Sequence, residues 1–419
     1  MRKSVALSAL AMTALLVGTA GCSTDPNSGS GDGNTLTISG WSGDEVMAAL
    51  IDQFKKDNPD VTVKLTELPW PSILTQINTE LVSNTASDVV AVFPGNGNPI
   101  TAHTLAKGDF LDDLSDSPWV DSFSEANRKV MGVGDEIFMV ANNFTIIPAT
   151  YNTQALEEIG ASAPSTWSEV IDLCTAAQEH GKVAYAMAGL AGGPFHYLGY
   201  ALSATLIDGT NPDFAEQHNA GETTFSDSPW TEVFDKYAEM RDAGCFTKDA
   251  TGTSFEVARS QVAKGEAVGI VTVSNHIADI ERESPEGTTF ETAALPATDS
   301  PEDTILPVGL GAGYGVNAKA KNKELAHKFI DFYMSEEGLK TALSAGSIFP
   351  SIDVDGFEPT PTLAGVAEQV RSDKTAAFPD QTWPSANMTK VYEDEAQKLL
   401  GNQTTPTEAL KAMDAAFTE

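Results

Sequence analysis

The chain has 419 residues, of which 59 are acidic and 25 basic, for a formal net charge of −34 at neutral pH. A field of that sign repels nucleic acid and anionic membrane surfaces, and the sequence contains no run of Lys and Arg, so both are excluded as partners. The length exceeds what one hydrophobic core usually holds, and we expect two domains.

The first residues predict export. Two basic residues precede an apolar run from Val5 to Val17, and small residues follow, which is the order of a secretory signal. Cys22 comes directly after "GTAG", and this arrangement resembles the lipobox of bacterial lipoproteins, with Thr19 where leucine is usual. The resemblance implies a signal peptide over 1–21 and a lipid on Cys22. The alternative is plain secretion with Cys22 as an unmodified thiol.

The segment 22–34 is rich in Ser, Gly and Asp and has no large apolar residue, so it predicts a flexible tether. Strands and helices alternate after it. "TLTISGW" predicts a strand from Thr35, Asp44 predicts the cap of an amphipathic helix, and "VTVKL" predicts a second strand from Val61. "SDVVAVF" is a continuous apolar run, typical of a strand buried on both faces. The predicted fold class is therefore α/β, with parallel crossovers and helices on both faces of a sheet.

Further elements follow in the same manner. "IFMVANNFTIIPATYN" predicts two strands around Asn142 and Asn143, and "SFEVARSQVAKGEAVGIVTVSN" predicts a helix and a strand that stops at Asn275. "NKELAHKFIDFYMSEEG" predicts one strongly amphipathic helix. Apart from Cys22, the cysteines are Cys174 and Cys245; we expect two buried free thiols, with a disulfide between them as the alternative.

The stretch "GLGAGYG", Gly309 to Gly315, is the one glycine-rich candidate for a phosphate loop. Its glycines recur at every second position and lack both the G-x-G-x-x-G spacing and a Gly-Lys-Ser/Thr ending. Glycine at period two predicts a strand with one bare face, which another backbone or a ligand can approach. No other motif implies catalysis, a metal or a cofactor, although a pair of glycosidase carboxylates is not recognisable from spacing alone.

The candidate binding residues are aromatic, amide and carboxylate side chains that follow strands. Ligands of open α/β sheets lie beyond the carboxyl ends of the strands, and this mixture suits a neutral polyol, since aromatic faces stack on sugar rings and amides bond to hydroxyls. The candidates are Trp41, Ser42, Asp44, Phe93, Asn96, Asn142, Asn143, Ser274 and Asn275, with Phe195, His196 and Tyr197 at a helix start after a glycine loop.

Seven segments in order resemble the family 1 extracellular solute-binding proteins that serve ABC importers of sugars. They are the lipobox, "LIDQFKKDNPDVTVKL", "SDVVAVF", "PSTWSEVIDLCTAA", "VAKGEAVGIV", "GYGVNAKAKNKELAHKFIDFYMSEEG" and "TPTEALKAMDAAF". The resemblance implies a two-lobed periplasmic-binding-protein-like fold with a hinge and a ligand cleft. The implied lobes are 35–142 with 306–350, and 143–305 with 351–419.

The resemblance also implies site residues. It carries ligand contacts onto Glu45 beside Trp41, Ser42 and Asp44, and onto Gly311, Gly313 and Trp383. The chain departs from the family at Ser274, Asn275 and His276, where many relatives have tryptophan.

The expected function is that of a non-enzymatic, lipid-anchored monomer on the extracellular face of the cell membrane. It captures a mono- or oligosaccharide and delivers it to ABC permease subunits, without a cofactor. The alternatives are a secreted glycoside hydrolase and a binder of a non-sugar solute such as a peptide or polyamine, which the acidic charge favours.

Overall fold

The computed structural model describes residues 33–69, 72–190, 195–346, 348–372 and 374–417. The predicted signal peptide, Cys22 and nearly all of the predicted tether lie outside the described residues, as does the glycine loop before Phe195. Among the described residues, no helix is long and apolar enough to span a membrane.

The described elements alternate as an α/β chain should. The strands are β1 (Thr35–Trp41), β2 (Thr62–Leu68), β3 (Val89–Val92), β4 (Gly132–Val133), β5 (Glu136–Ile137), β6 (Asn143–Ile146), β7 (Ala149–Asn152), β8 (Val183–Tyr185), β9 (Ala267–Val271), β10 (Phe290–Ala293), β11 (Leu306–Leu310), β12 (Gly313–Val316), β13 (Phe349–Pro350) and β14 (Thr375–Ala376). The helices are α1 (Glu45–Asp57), α2 (Ser72–Val82), α3 (Ala102–Ala106), α4 (Glu125–Met131), α5 (Thr153–Ile159), α6 (Trp167–Glu179), α7 (His196–Ser203), α8 (Phe214–Asn219), α9 (Trp230–Asp242), α10 (Phe255–Ala263), α11 (Ile277–Glu283), α12 (Lys323–Tyr333), α13 (Glu336–Ala345), α14 (Ala364–Val370), α15 (Met388–Leu400) and α16 (Pro406–Phe417).

Two large hydrophobic cores divide the molecule into two lobes. The core of the N-terminal lobe draws its residues from 36–141 and from 310–348. The core of the C-terminal lobe draws its residues from 147–297 and from 378–417. The chain therefore leaves the first lobe, builds most of the second and returns, which confirms the two-lobed α/β fold class.

The sheet of the N-terminal lobe has the order β12-β3-β1-β2. β1 is parallel to both β2 and β3, while β12 pairs antiparallel with β3 after the chain has returned. β3 is buried along its whole length, as its unbroken apolar sequence predicts. α1 begins where the Asp44 side chain accepts a hydrogen bond from the Met47 amide at 2.9 Å, and it turns Met47, Leu50 and Phe54 into the core.

Asp88 joins the first and last parts of this lobe. Its carboxylate is 4% exposed and accepts hydrogen bonds from the Thr37 amide at 2.9 Å and the Thr37 hydroxyl at 2.6 Å. It also accepts from the amides of Lys321 at 2.8 Å and Asn322 at 3.2 Å, just before α12. One buried carboxylate thus fastens β1 and the start of α12 to β3.

The C-terminal lobe contains a sheet of order β10-β7-β9-β8 and a disulfide bond. Cys174 on α6 is bonded to Cys245, which follows α9, and both cysteines are buried. The expectation of two free thiols is therefore wrong. α6 and the segment after α9 bring the two cysteines together in the interior of the lobe. Their sequence positions alone did not indicate this proximity.

This disulfide predicts a loss of stability on its removal. The Cys174→Ala/Cys245→Ala double variant is expected to be less stable than the wild type by about 2–4 kcal/mol, because the cross-link limits the unfolded chain. Thermal unfolding with and without dithiothreitol checks this: the reductant should lower the melting temperature of the wild type and leave that of the variant unchanged. A wild-type protein insensitive to the reductant would contradict the bond.

Short strands cross between the lobes and pair with one another. The order is β13-β6-β11-β14, with β6 antiparallel to both β11 and β13. A small apolar cluster that includes Ile146, Leu306 and Phe349 packs beside this sheet. The crossings are thus held by backbone hydrogen bonds in one narrow sheet, which is the hinge between the lobes.

Three element predictions need correction. "GLGAGYG" is not one strand, because it breaks between β11 in the hinge sheet and β12 in the sheet of the N-terminal lobe. The predicted single helix after it is two, α12 and α13, because Ser335 caps a new helix by accepting from the Gly338 amide at 3.1 Å. The strand predicted to reach Asn275 ends at Val271.

Candidate functional site

Three aromatic rings meet at the carboxyl end of β1. The Trp41 ring centroid lies 5.8 Å from that of Phe93 and 5.5 Å from that of Tyr314, both in edge-to-face geometry. Trp41 and Phe93 are only partly buried, whereas Tyr314 is 2% exposed. We call these three residues the aromatic wall. Tyr314 and Phe93 both pack edge-to-face against Trp41, and the two partly buried members remain partly accessible.

The loop between β1 and α1 flanks this wall. The Ser42 amide bonds to the Leu68 carbonyl at 3.1 Å, which fixes the loop while leaving Ser42 exposed. Asp44 is occupied on both oxygens, by the cap of α1 and by the Tyr314 hydroxyl at 3.3 Å, and burial raises the pKa of its carboxyl. Through these contacts, Asp44 supports the aromatic wall.

Glu45 reaches across to the other lobe. Its carboxylate lies 3.5 Å from the guanidinium of Arg282 on α11, and both side chains are mostly exposed. An exposed pair of this kind contributes little stability. It marks the place where the rims of the two lobes approach each other.

The loop after β3 contacts the C-terminal lobe directly. The Asn96 side-chain amide donates to the Pro384 carbonyl, and its carbonyl oxygen accepts from the Thr104 hydroxyl at 3.1 Å. A Cβ atom on Gly95 would overlap the Gln381 backbone, so the glycine permits this close approach. Asn96 is 7% exposed and joins the two lobes.

Four candidate residues lie in or next to the hinge. Asn142 and Asn143 are 2% and 7% exposed, and the Asn142 side-chain nitrogen has no hydrogen-bond partner among the described residues. The Asn143 carbonyl accepts from the Gly311 amide at 2.9 Å, and a Cβ atom on Gly311 would press on Asn143. A Cβ atom on Gly313 would overlap the Val140 carbonyl. The missing side chains of both glycines thus make room for neighbouring backbone and side chain.

The candidates at the start of α7 are more buried than their loop context suggests. Phe195 is 2% exposed and packs in the core of the C-terminal lobe. The rings of His196 and Tyr197 lie 4.1 Å apart, and the His196 Nδ1 is 3.4 Å from the Glu393 carboxylate. Burial raises the pKa of the Tyr197 phenol.

Trp383 and the Ser274–Asn275 pair lie elsewhere in the C-terminal lobe. Trp383 is 2% exposed and makes ring contacts with Tyr200 and Tyr392, so it is a core residue here. The Ser274 hydroxyl is fully buried and accepts from the Ile146 amide at 3.3 Å, whereas Asn275 is exposed. Ser274 therefore serves the hinge strand β6.

The structure brings together Trp41 with Phe93, and Asn143 with Gly311. The ligand roles of all sixteen candidates stay predictions. Sequence reasoning missed Tyr314, which packs against Trp41, and Asp380, whose Oδ1 is buried without a hydrogen-bond partner among the described residues. Tyr314 is the one aromatic residue within "GLGAGYG", and that signal was available; Asp380 comes in the late segment "FPDQTW", which has no feature that singles it out.

Two other features are separate from this region. An open groove between α1 and α13 is lined by residues such as Asp52, Gln53, Glu337 and Lys340, and it contains none of the candidates. The described part of the chain has no cluster of three or more His, Cys, Asp or Glu residues that could hold a metal ion.

Comparison with known proteins shows which family has this architecture. The family described as bacterial extracellular solute-binding protein matches residues 40–340. The multiple sugar-binding protein of Streptococcus mutans serotype c is 21% identical over 302 residues, which cover 71% of this chain and 70% of that protein.

Solved structures share the fold at low identity. A chitin oligosaccharide binding protein is similar with a TM-score of 0.80 and 19% identity, covering 93% of this chain and 100% of the other. The solute-binding protein RafE in complex with raffinose is similar with a TM-score of 0.75 and 19% identity, covering 91% and 98% of the two chains. With two α/β lobes, a hinge sheet and a family match over most of its length, the chain belongs to the bacterial extracellular solute-binding proteins.

Proposed function

We propose that this protein captures a mono- or oligosaccharide outside the cell and delivers it to an ABC importer. The observation that carries the proposal is the aromatic wall. Trp41 and Phe93 present partly open rings at the carboxyl end of the first sheet, and Asn96 and Glu45 beside them reach the opposite lobe. Aromatic faces beside amides and carboxylates suit the apolar faces and hydroxyls of a sugar ring. The named sugar-binding relatives support this ligand class.

The lobes in this proposal are 35–142 with 306–350 and 143–305 with 351–419. The separation of the two cores supports these boundaries, because residues 36–141 and 310–348 share one core. The ligand enters between the lobes, and contacts made only when they close shift the population toward the closed form. Binding without turnover is the expected activity, since the matched relatives are binding proteins.

The rest of the proposal concerns the anchor and the partners. We propose that Cys22 carries a lipid and that residues 22–34 hold the two lobes clear of the membrane surface. The mature protein is a monomer that docks on permease subunits. The order of basic residues, apolar run and cysteine supports the anchor.

A carbohydrate panel read by thermal shift tests the function. A sugar whose free concentration is about a hundred times its dissociation constant stabilises the folded state by about 2.7 kcal/mol and raises the melting temperature. Mono-, di- and trisaccharides with different linkages are compared with spermidine and short peptides. Each saccharide is also recovered and analysed after long incubation.

The outcomes separate the three functions. A shift with one group of intact saccharides is the expected result. Cleaved saccharide would instead identify a glycoside hydrolase, and a shift only with spermidine or peptides would identify a binder of non-sugar solutes.

A further inference from the structure

A polar cluster in the C-terminal lobe includes Tyr197 and otherwise consists of residues that the sequence did not single out. Thr389 and Glu393 lie one turn apart on α15, and the rings of Tyr200 on α7 and Tyr392 on α15 are stacked with centroids 5.5 Å apart. This stacking brings the two helices together. We call the following residues the acceptor cluster: Tyr197, Tyr200, Asp380, Thr389 and Glu393.

Several polar atoms of the acceptor cluster have no hydrogen-bond partner among the described residues. They are the Tyr200 hydroxyl, Asp380 Oδ1 and Thr389 Oγ1. The Tyr200 side chain is 1% exposed, and burial together with the charges of Asp380 and Glu393 raises the pKa of its phenol. A buried polar atom without a partner costs free energy, so such atoms are rare in folded proteins. Three in one cluster indicate a group that is bound there during function.

The cluster is rich in acid and poor in compensating cations. Burial raises the pKa of the Asp380 carboxyl to about 7 and that of Glu393 to about 7, and the Asp380 charge adds to the rise at Glu393. Lys390 lowers the pKa of Glu393, but its ammonium is exposed and lies 2.7 Å from Asp394. The His196 Nδ1 lies 3.4 Å from the Glu393 carboxylate. Neither of these two largely buried carboxyls has a close ammonium or guanidinium partner among the described residues, which is costly unless something else supplies positive charge.

The acceptor cluster faces the N-terminal lobe. A Cβ atom on Gly97 would lie 2.8 Å from Thr389 Oγ1 and 2.7 Å from the Asp380 carbonyl oxygen. Gly97 follows Asn96, which bonds to Pro384, and belongs to the loop that carries Phe93 of the aromatic wall. Separation of the lobes would therefore expose the cluster to the cleft.

Resting on the proposed sugar-binding function, we propose that the acceptor cluster is a subsite for a protonated amine, so that the ligand is a saccharide with a free amino group. An ammonium supplies three hydrogen-bond donors and one positive charge. Asp380 and Glu393 accept from it and pair with its charge, and the Tyr200 or the Thr389 hydroxyl accepts its third donor. A neutral hydroxyl supplies one donor and no charge. The net charge of −34 attracts a cationic ligand toward the cleft.

Three disaccharides that differ only at carbon 2 test this subsite. They are β-1,4-linked glucosamine disaccharide, its N-acetylated form and cellobiose, measured by calorimetry at pH 7 on the full chain. We expect the free-amine disaccharide to bind about tenfold tighter or more than the other two, since charge-assisted hydrogen bonds are about twice as strong as neutral ones. Asp380→Asn and Glu393→Gln should each remove most of that preference, and the exposed carboxyl variant Asp394→Asn, on the same helix, should retain it.

A stability measurement shows that the variants fold. Because the folded-state pKa of Asp380 is raised to about 7, its contribution to stability is fully present below its unfolded pKa and is lost as the pH rises through 7. Asp380→Asn carries no charge and should melt at or above the wild-type temperature at pH 8. If it does, the loss of amine preference in this variant results from the change in the binding site and not from a failure to fold.

The outcomes distinguish the two proposals. Equal affinity for the three disaccharides, or tighter binding of the N-acetylated or neutral one, overturns the amine subsite and leaves sugar capture standing. Unchanged preference in both carboxyl variants also overturns it. Binding of spermidine without any saccharide overturns both proposals.

Discussion

Replacing Trp41 with alanine is expected to weaken sugar binding by about tenfold or more. Loss of a stacked ring removes apolar contact area and the ring interaction, together more than about 1.4 kcal/mol, which is a factor of ten in the dissociation constant. Trp41 is suited to this role because Phe93 and Tyr314 hold its ring, so little ordering is needed on binding. Calorimetry with the best sugar of the panel measures the effect.

Two variants control the Trp41 experiment. Trp41→Phe keeps an aromatic face and should recover most of the affinity. Trp119→Ala removes a tryptophan of the same lobe that is 5% exposed and bonded to Asp331, so it should lower stability without changing the dissociation constant of the folded protein. A wild-type affinity in Trp41→Ala would remove the aromatic wall from the binding site.

Replacing Asp88 with alanine is expected to give the largest loss of stability, about 3 kcal/mol or more. The change leaves the amides of Thr37, Lys321 and Asn322 and one hydroxyl without their buried acceptor. Hydrogen bonds to a charged group contribute about 1.5–3 kcal/mol each, and unsatisfied buried donors add a desolvation cost. Urea unfolding measures the loss as a lower midpoint.

The control for Asp88 is an acidic residue of the same lobe that lies on the surface. Asp52 on α1 is 72% exposed and pairs weakly with Lys55 at 3.5 Å, so Asp52→Ala should change the free energy of unfolding by about 0.5 kcal/mol or less. Equal midpoints for the two variants would contradict the fastening role of Asp88.

Local sequence signals predicted most of the first lobe. Apolar periodicity and the Asp44 cap indicate α1, and the unbroken run over Val89–Val92 indicates a buried strand; both are as expected. The parallel pairing of β1 with β2 also follows from the strand, helix and strand order. These features depend on residues near one another in the chain.

Features that depend on distant residues were not predictable in this way. The Cys174–Cys245 bond depends on how α6 packs near the end of α9. Asp380 lies against Gly97, which is far away in the chain. The break in "GLGAGYG" arises because Gly309 and Gly313 belong to different sheets. Period-two glycine indicated a bare strand face, but no local signal said that the strand would divide.

The late return of the chain to the N-terminal lobe has a consequence for how the protein is made. β12 closes the β3 edge of the first sheet, and it is synthesised only after all four strands of the C-terminal lobe sheet. Until then β3 has one unpaired edge, and such edges invite association with other chains. The first lobe therefore cannot complete its sheet until most of the second lobe has been made. The newly made chain must be kept apart from its neighbours until β12 is available.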